Sequence, residues 1–144
     1  MRHINTIALL DLDTATIVWA TTGPWKAQHD PEFLDNGDLL IFDNRGSSST
    51  TRVLQFDPLN KTLAWSFPQD GSYKFHCHER GMSQRLPNGN TLIVNSVSGK
   101  IIEVTHDGQL VWLHDSGERT QFARRYSAEE LPFLSQAGIP VNYR

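Results

Sequence analysis

The chain gathers its hydrophobic positions into short runs separated by polar turns, with no long stretch at helical spacing. Ile7-Ala8-Leu9-Leu10-Asp11, Arg52-Val53-Leu54-Gln55-Phe56-Asp57 and Lys100-Ile101-Ile102-Glu103-Val104-Thr105 are aliphatic and β-branched runs bounded by turn residues. Runs of this length and composition predict strands. Each is followed by a tight polar turn, Asp13-Thr14-Ala15-Thr16, Pro58-Leu59-Asn60-Lys61 or His106-Asp107-Gly108-Gln109. A second apolar run then reaches a tryptophan: Ile17-Val18-Trp19, Leu63-Ala64-Trp65 and Leu110-Val111-Trp112. These tryptophans lie 46 and 47 positions apart (65 minus 19, 112 minus 65). Between them stand two copies of another element, Phe33-Leu34-Asp35-Asn36-Gly37-Asp38-Leu39-Leu40-Ile41 and Arg85-Leu86-Pro87-Asn88-Gly89-Asn90-Thr91-Leu92-Ile93. The Asn-Gly pairs predict two-residue hairpin turns in which both central positions favour φ above zero. They would join residues 32–34 to 38–42 and 83–86 to 90–95.

A period in the forties with several short strands per unit is the signature of propeller blades. The sequence therefore predicts an all-β chain holding about two and a half four-stranded β-propeller blades over residues 4–115. A closed propeller needs about four to eight, so the ring is incomplete, and residues 1–144 read as one partial propeller domain. The recurring tryptophans are assigned to packing against neighbouring blades. Beyond Trp112 the pattern changes. Ser127-Ala128-Glu129-Glu130 reads as a capping box. Leu131, Leu134, Gly138 and Pro140 then predict a short helix over 127–136, which Pro132 would shorten or break. This tail, 116–144, is expected to lie over a blade edge or bottom, where it would cover an unpaired strand.

Composition adds bounds. Sixteen acids against 13 bases give a net charge of −3, and no basic run stands out, so nothing points to nucleic acid or an anionic membrane. Cys77 stands alone and cannot form an internal disulfide. Met1-Arg2-His3-Ile4-Asn5 carries no long apolar run, so neither a signal peptide nor a membrane helix is expected here.

Six histidines are the candidates for chemistry. His3, His106 and His114 occupy a terminus, a turn and a strand end, where a solvated role suffices. On a strand, His76 and His78 would share a face and could share a metal, but no further ligand has suitable spacing, so no metal site is assigned. Cys77 between them would need a lowered pKa and a base to act as a nucleophile. His29 differs in its surroundings: it lies where a loop enters the first strand of a blade, a place that can face a propeller's central axis.

Gln28-His29-Asp30, followed by Leu34-Asp35-Asn36-Gly37-Asp38-Leu39-Leu40-Ile41-Phe42-Asp43-Asn44, resembles the arylsulfotransferase family of β-propeller enzymes. Gly81-Met82-Ser83-Gln84-Arg85-Leu86-Pro87-Asn88-Gly89-Asn90-Thr91-Leu92 is similar to a later blade of those proteins, and Arg124-Arg125-Tyr126 to their closing segment. The similarity runs over residues 2–135 and matches the C-terminal part of a longer family member. It implies sulfuryl transfer from a phenolic sulfate donor to a phenol acceptor, without a nucleotide sulfate donor or other cofactor. By this resemblance His29 is the nucleophile that becomes a sulfohistidine, and Arg2 is an active-site arginine. The residue types suit the task. Neutral imidazole is nucleophilic near neutral pH, and a planar, permanently charged guanidinium suits the negative charge spread over sulfate oxygens. The family also uses histidines in blades upstream of Arg2, which this chain lacks, and its usual export implies a periplasmic or cell-surface setting.

Two readings from other classes stand beside this one. A propeller without chemistry would serve as a binding or assembly module, and self-association could complete its ring. A quinone-cofactor propeller ranks last, because no residue pattern marks a cofactor site.

Overall fold

The structure, a computed structural model, describes residues 1–44, 50–69 and 73–140. After a single turn of 3-10 helix, Arg2–Ile4, the described residues form ten strands. β1 (Thr6–Asp11) and β2 (Thr16–Thr22) pair as a two-stranded antiparallel first sheet. β3 (His29–Phe33), β4 (Leu39–Asp43), β5 (Arg52–Asp57) and β6 (Thr62–Phe67) make a four-stranded middle sheet in sequence order. β7 (Met82–Arg85), β8 (Thr91–Asn95), β9 (Lys100–Val104) and β10 (Leu110–Asp115) repeat that arrangement as the last sheet. Among the described residues no helix is long and apolar enough to cross a membrane.

The turns repeat as well as the strands, though not in the predicted geometry. In both Asn-Gly hairpins only the glycine has a positive φ, 87° at Gly37 and 86° at Gly89. Gly37 N donates to Leu34 O and Leu34 N to Asp38 O, both at 2.8 Å, and Gly89, Leu86 and Asn90 repeat the pattern. These are type I turns closed by a left-handed glycine, the three-residue hairpin loop, not the mirror-image two-residue turn. The asparagine stays right-handed because its Oδ1 accepts from the amide two residues on, Asp38 N at 3.1 Å and Asn90 N at 3.0 Å. The β1–β2 and β5–β6 turns share another device. Asp11 Oδ1 accepts from the amides of Asp13 and Thr14, and Asp57 Oδ1 from those of Leu59 and Asn60.

Alternation along β4 explains the packing. Leu39 and Ile41 join Ile7, Trp25, Leu54 and Phe56 in a cluster between the first and middle sheets. Leu40 and Phe42 point the other way, to Val53, Trp65, Phe67, Cys77, Ile93, Ile102 and Val104 between the middle and last sheets. All five residues of β4 are thus buried, and a one-residue slip would exchange its two apolar sets. Trp65 is buried and its Nε1 donates to His106 O across the sheet boundary at 2.6 Å, while Trp19 meets Phe33 with ring centroids 6.3 Å apart. Trp112 departs from the expectation: it is 41% exposed, as are its neighbours on β10, because among the described residues no sheet follows this strand.

The tail also departs. Ser127 and Glu130 do make the reciprocal capping-box bonds, Ser127 N to Glu130 Oε2 at 2.7 Å and Glu130 N to Ser127 Oγ at 3.3 Å. They close a turn, however, and the helix α1 (Pro132–Gln136) begins only at the proline, whose missing N–H is harmless at a first helical position. Although the Arg125 guanidinium lies over the Trp112 ring, 5.3 Å from its centroid, the tail leaves β10 exposed. It crosses the face of the last sheet, where Ala123 packs on the cluster of Met82, Leu86, Leu92, Val94 and Ile101. Arg125 N donates to Gln84 Oε1 at 2.9 Å, and the Arg125 guanidinium pairs with Glu103.

Two predictions follow from this packing. Gly81 has φ +88°, and a Cβ there would sit 2.2 Å from the Phe42 ring, whereas one at Gly89 would meet nothing within 4 Å. Gly81→Ala is therefore expected to lower the unfolding free energy by about 3 kcal/mol, the left-handed penalty plus overpacking. Gly89→Ala should cost about 1 kcal/mol by the same chemical denaturation assay. The second concerns Glu103. Burial pushes its carboxyl up, but the amides of Asn90 and Asn88 and the Arg125 guanidinium outweigh that and hold it below the ordinary glutamate range. A carboxyl lowered in the folded state stabilises above the unfolded value, about 4.3, and loses that contribution as pH falls through the lower folded value. Cleavage within residues 119–126 by an acid-active protease should rise over this interval before the sheets unfold, and Glu103→Gln should remove the pH dependence.

Candidate functional site

The segment before β3 is pinned from both sides. Trp25 is 1% exposed; its ring meets Phe56 edge to face and its Nε1 donates to Asn5 O at 2.8 Å. Ala27 N donates to Asn5 Oδ1 at 3.3 Å, and the buried Gln28 reaches Thr6 O with Nε2 at 3.0 Å. From the other side Asp43, wholly buried at the end of β4, accepts from Lys26 N at 2.9 Å and pairs with Arg52 at 2.8 Å. Arg52 in turn donates to Pro24 O. The loop therefore delivers His29 to the start of β3 from a fixed direction.

A bulge then sets where the imidazole goes. Phe33 opposes Leu39 and Glu32 opposes Leu40, so unbroken pairing would place Asp30 across from Phe42; instead His29 occupies that place. The extra residue is taken up by Asp30, at φ 49°, and by Pro31, which has no N–H to lose. Asp30 is not idle: its Oδ2 accepts from Ser83 N of β7 at 3.0 Å, tying the bulge to the last sheet. In that sheet β7 pairs with β8 without interruption from Met82–Val94 to Arg85–Thr91.

Behind His29 stands Asn44, which is 0% exposed. Its Oδ1 lies 2.5 Å from His29 Nδ1, and its Nδ2 donates to Cys77 O at 2.8 Å and Arg80 O at 2.7 Å. Thr51, also buried, donates its hydroxyl towards Cys77 O at 3.1 Å and accepts from Cys77 N at 2.8 Å. His29 is half-buried, with Nδ1 engaged and, among the described residues, no hydrogen bond at Nε2. Two cationic residues belong to the segments that meet at this pair. Arg80, whose carbonyl holds Asn44, has φ 58° and an exposed guanidinium without an ion pair among the described residues, and Lys26 is exposed three positions before His29.

Arg2 sits in the short 3-10 turn, half-buried, with its Nε unbonded. The straps from Asn5 and Thr6 to Trp25, Ala27 and Gln28 hold that turn against the approach to His29, but no hydrogen bond or ion pair joins the two side chains. The rings of His76 and His78 stack at 5.8 Å, both exposed, and among the described residues no group of three His, Cys, Asp or Glu side chains could hold a metal. Cys77 is buried, and desolvation pushes its thiol up, so it stays a neutral packing group rather than a thiolate. His106 lies over Trp65, His114 over Trp112, and His3 is exposed in the first turn.

Asn44, Thr51 and Arg80 do not announce themselves as singletons. A signal exists in the repeat. The two Asn-Gly elements are offset by 52 (88 minus 36), which sets Gly81 opposite His29 and Ser96 opposite Asn44. The last sheet keeps the contact, Gly81 N to Ser96 Oγ at 3.0 Å, with neither imidazole nor amide. Where two copies of a scaffold differ at a pair of touching positions, the exceptional pair is the candidate for chemistry.

Comparison with known proteins bears on what that pair serves. No curated protein matches the chain. Among solved structures, a protein of unknown function from Bacteroides caccae superposes with a TM-score of 0.50 at 13% identity, over 78% of this chain. The chain spans only 39% of that protein's length, and the likeness concerns the fold alone. The sequence itself is more specific. Residues 1–117, which include β1 to β10, the bulge and both members of the His29–Asn44 pair, match the profile described as Arylsulfotransferase (ASST), and the chain belongs to that family.

Proposed function

We propose that the chain is part of a β-propeller aryl sulfotransferase and that His29 is its nucleophile. The three sheets are read as successive blades. Trp65 is covered by the sheet that follows it, and the exposed Trp112 at the corresponding place on β10 marks the face on which another blade would rest. The observation that carries the chemical reading is the bulge at Asp30. It turns a histidine out of regular strand alternation, with Nδ1 bonded to Asn44 and no hydrogen bond at Nε2 among the described residues, in a chain of the arylsulfotransferase family.

The step needs little beyond these groups. An imidazole lone pair forms a bond to the sulfur of an aryl sulfate; the sulfur–oxygen bond to the aryl group breaks, and its electron pair leaves with the phenolate. A second phenol then attacks the same sulfur, the sulfur–nitrogen bond returns its pair to the ring, and the acceptor's proton goes to the released phenolate. Charge builds on the sulfate and phenolate oxygens, so fixed cations lower the barrier. Arg2, held beside the His29 approach, is assigned that role, with Arg80 and Lys26 as further cations at the same strand end. Donor and acceptor are thus a phenolic sulfate and a phenol. A non-catalytic blade module is the competing reading, favoured by the uncovered apolar strand β10.

Intact-protein mass spectrometry after exposure to an aryl sulfate tests the proposal. One sulfuryl group should add to the wild-type chain and none to His29→Ala, while Arg2→Ala should slow its appearance by about a hundredfold. An adduct that persists in His29→Ala, or none on the wild-type chain or a longer form of it, would leave the module reading in its place.

A further inference from the structure

The contacts around Asn44 determine more than where the ring sits. Both hydrogens of its Nδ2 are taken by backbone carbonyls, Cys77 O at 2.8 Å and Arg80 O at 2.7 Å, and a carbonyl oxygen can only accept. The amide therefore cannot be turned over: the reversed orientation would set Oδ1 against two acceptors inside a site with no exposure. With Oδ1 held as an acceptor, the atom 2.5 Å away, His29 Nδ1, must carry the proton. A neutral imidazole has one N–H, so its lone pair lies on Nε2. The residues that fix this arrangement are themselves fixed. Thr51, 0% exposed, bonds both the N and O of Cys77, and Gly81 N is anchored on Ser96 Oγ just after Arg80.

We infer that Asn44 is the positioning residue that selects the nucleophilic atom, locking His29 in the Nδ1–H tautomer so that Nε2 receives the sulfuryl group. The inference rests on the proposed sulfotransferase reading for its consequence, but not for the tautomer. Free histidine prefers its proton on Nε2, so an unassisted ring would offer the wrong nitrogen most of the time. The lock also keeps the adduct simple. When Nε2 takes the sulfuryl group, the proton on Nδ1 stays where it is, and the ring becomes a cation beside the sulfate's negative charge. A neutral amide partner leaves that proton on the ring throughout; no base removes it, and Nε2 is regenerated as a lone pair when the acceptor phenol takes the group away. The last sheet, with Gly81 and Ser96 at the corresponding positions, has the scaffold without the selector.

Long-range proton–nitrogen NMR of the chain with isotope-labelled histidine reads the tautomer directly, without substrate. The wild-type His29 ring should show a protonated Nδ1 and a bare Nε2 at a pH where it is neutral. In Asn44→Ser, which installs the side chain the last sheet carries at that place, the proton should move largely to Nε2. Formation of the sulfohistidine should slow by about ten- to a hundredfold, with the concentration dependence on aryl sulfate little changed. A wild-type ring protonated on Nε2, an adduct mapped to Nδ1, or an Asn44→Ser ring with unaltered tautomer would each overturn the assignment. If Asn44→Ser does not fold, the wild-type spectrum alone still decides. A ring with the Nδ1–H tautomer that takes no sulfuryl group would uphold the positioning role and count against the sulfotransferase reading.

Discussion

Two consecutive polar residues at the end of β4, Asp43 and Asn44, are completely withdrawn from water, and the rest of the site is arranged around satisfying them. A carboxylate and an amide in such a place are tolerable only with their hydrogen-bonding capacity used. Strand alternation sends the two side chains apart. Asp43 reaches the loop of Pro24 and Lys26 through its own oxygen and through Arg52, while Asn44 reaches Cys77, Arg80 and His29. The loop preceding the middle sheet and the loop preceding the last sheet are therefore held by neighbouring residues of one strand. That strand is buried on both faces and cannot slip, which makes it a fixed reference for everything attached to its end.

The His29–Asn44 pair inherits this rigidity. An imidazole on a surface loop would sample several orientations and both tautomers. Here the backbone of His29 is placed by the bulge and its ring by a hydrogen bond to a side chain that has no freedom left. Preorganisation of this kind removes the reorganisation a reaction would otherwise require. Polar support is given to one ring nitrogen, Nδ1, and the hydrogen bond from it to Asn44 makes the two nitrogens chemically distinct.

Much of the scaffold was legible because its determinants are local. β-branched runs, Asx turns and glycines are read within a few residues, and the strands fall close to where they were expected. The misreadings arise where local rules admit two outcomes. Asn36-Gly37 and Asn88-Gly89 fit either hairpin loop, and the choice fell to the asparagine side chains bonding ahead to Asp38 and Asn90. The Ser127 capping box formed as a bare turn because Pro132 claimed the helix start. Trp112 carries the same pattern as Trp65, but burial needs a neighbour that a local pattern cannot supply. The site divides in the same way. His29 and its Asp-Pro context stand in plain view, whereas the bulge depends on register, and Asn44 gains its meaning from carbonyls 33 and 36 positions away.

The bond from Asp30 Oδ2 to Ser83 N has a mechanical side. Asp30, beside His29, is fastened to the neighbouring sheet, and Asn44, the partner of His29, is fastened to the loop leading into that sheet. His29 therefore rides on a seam and is not the property of either sheet alone. A displacement of one sheet past the other would disturb both anchors of the ring at once. The orientation of the ring thus depends on this seam holding, and not only on each sheet staying folded.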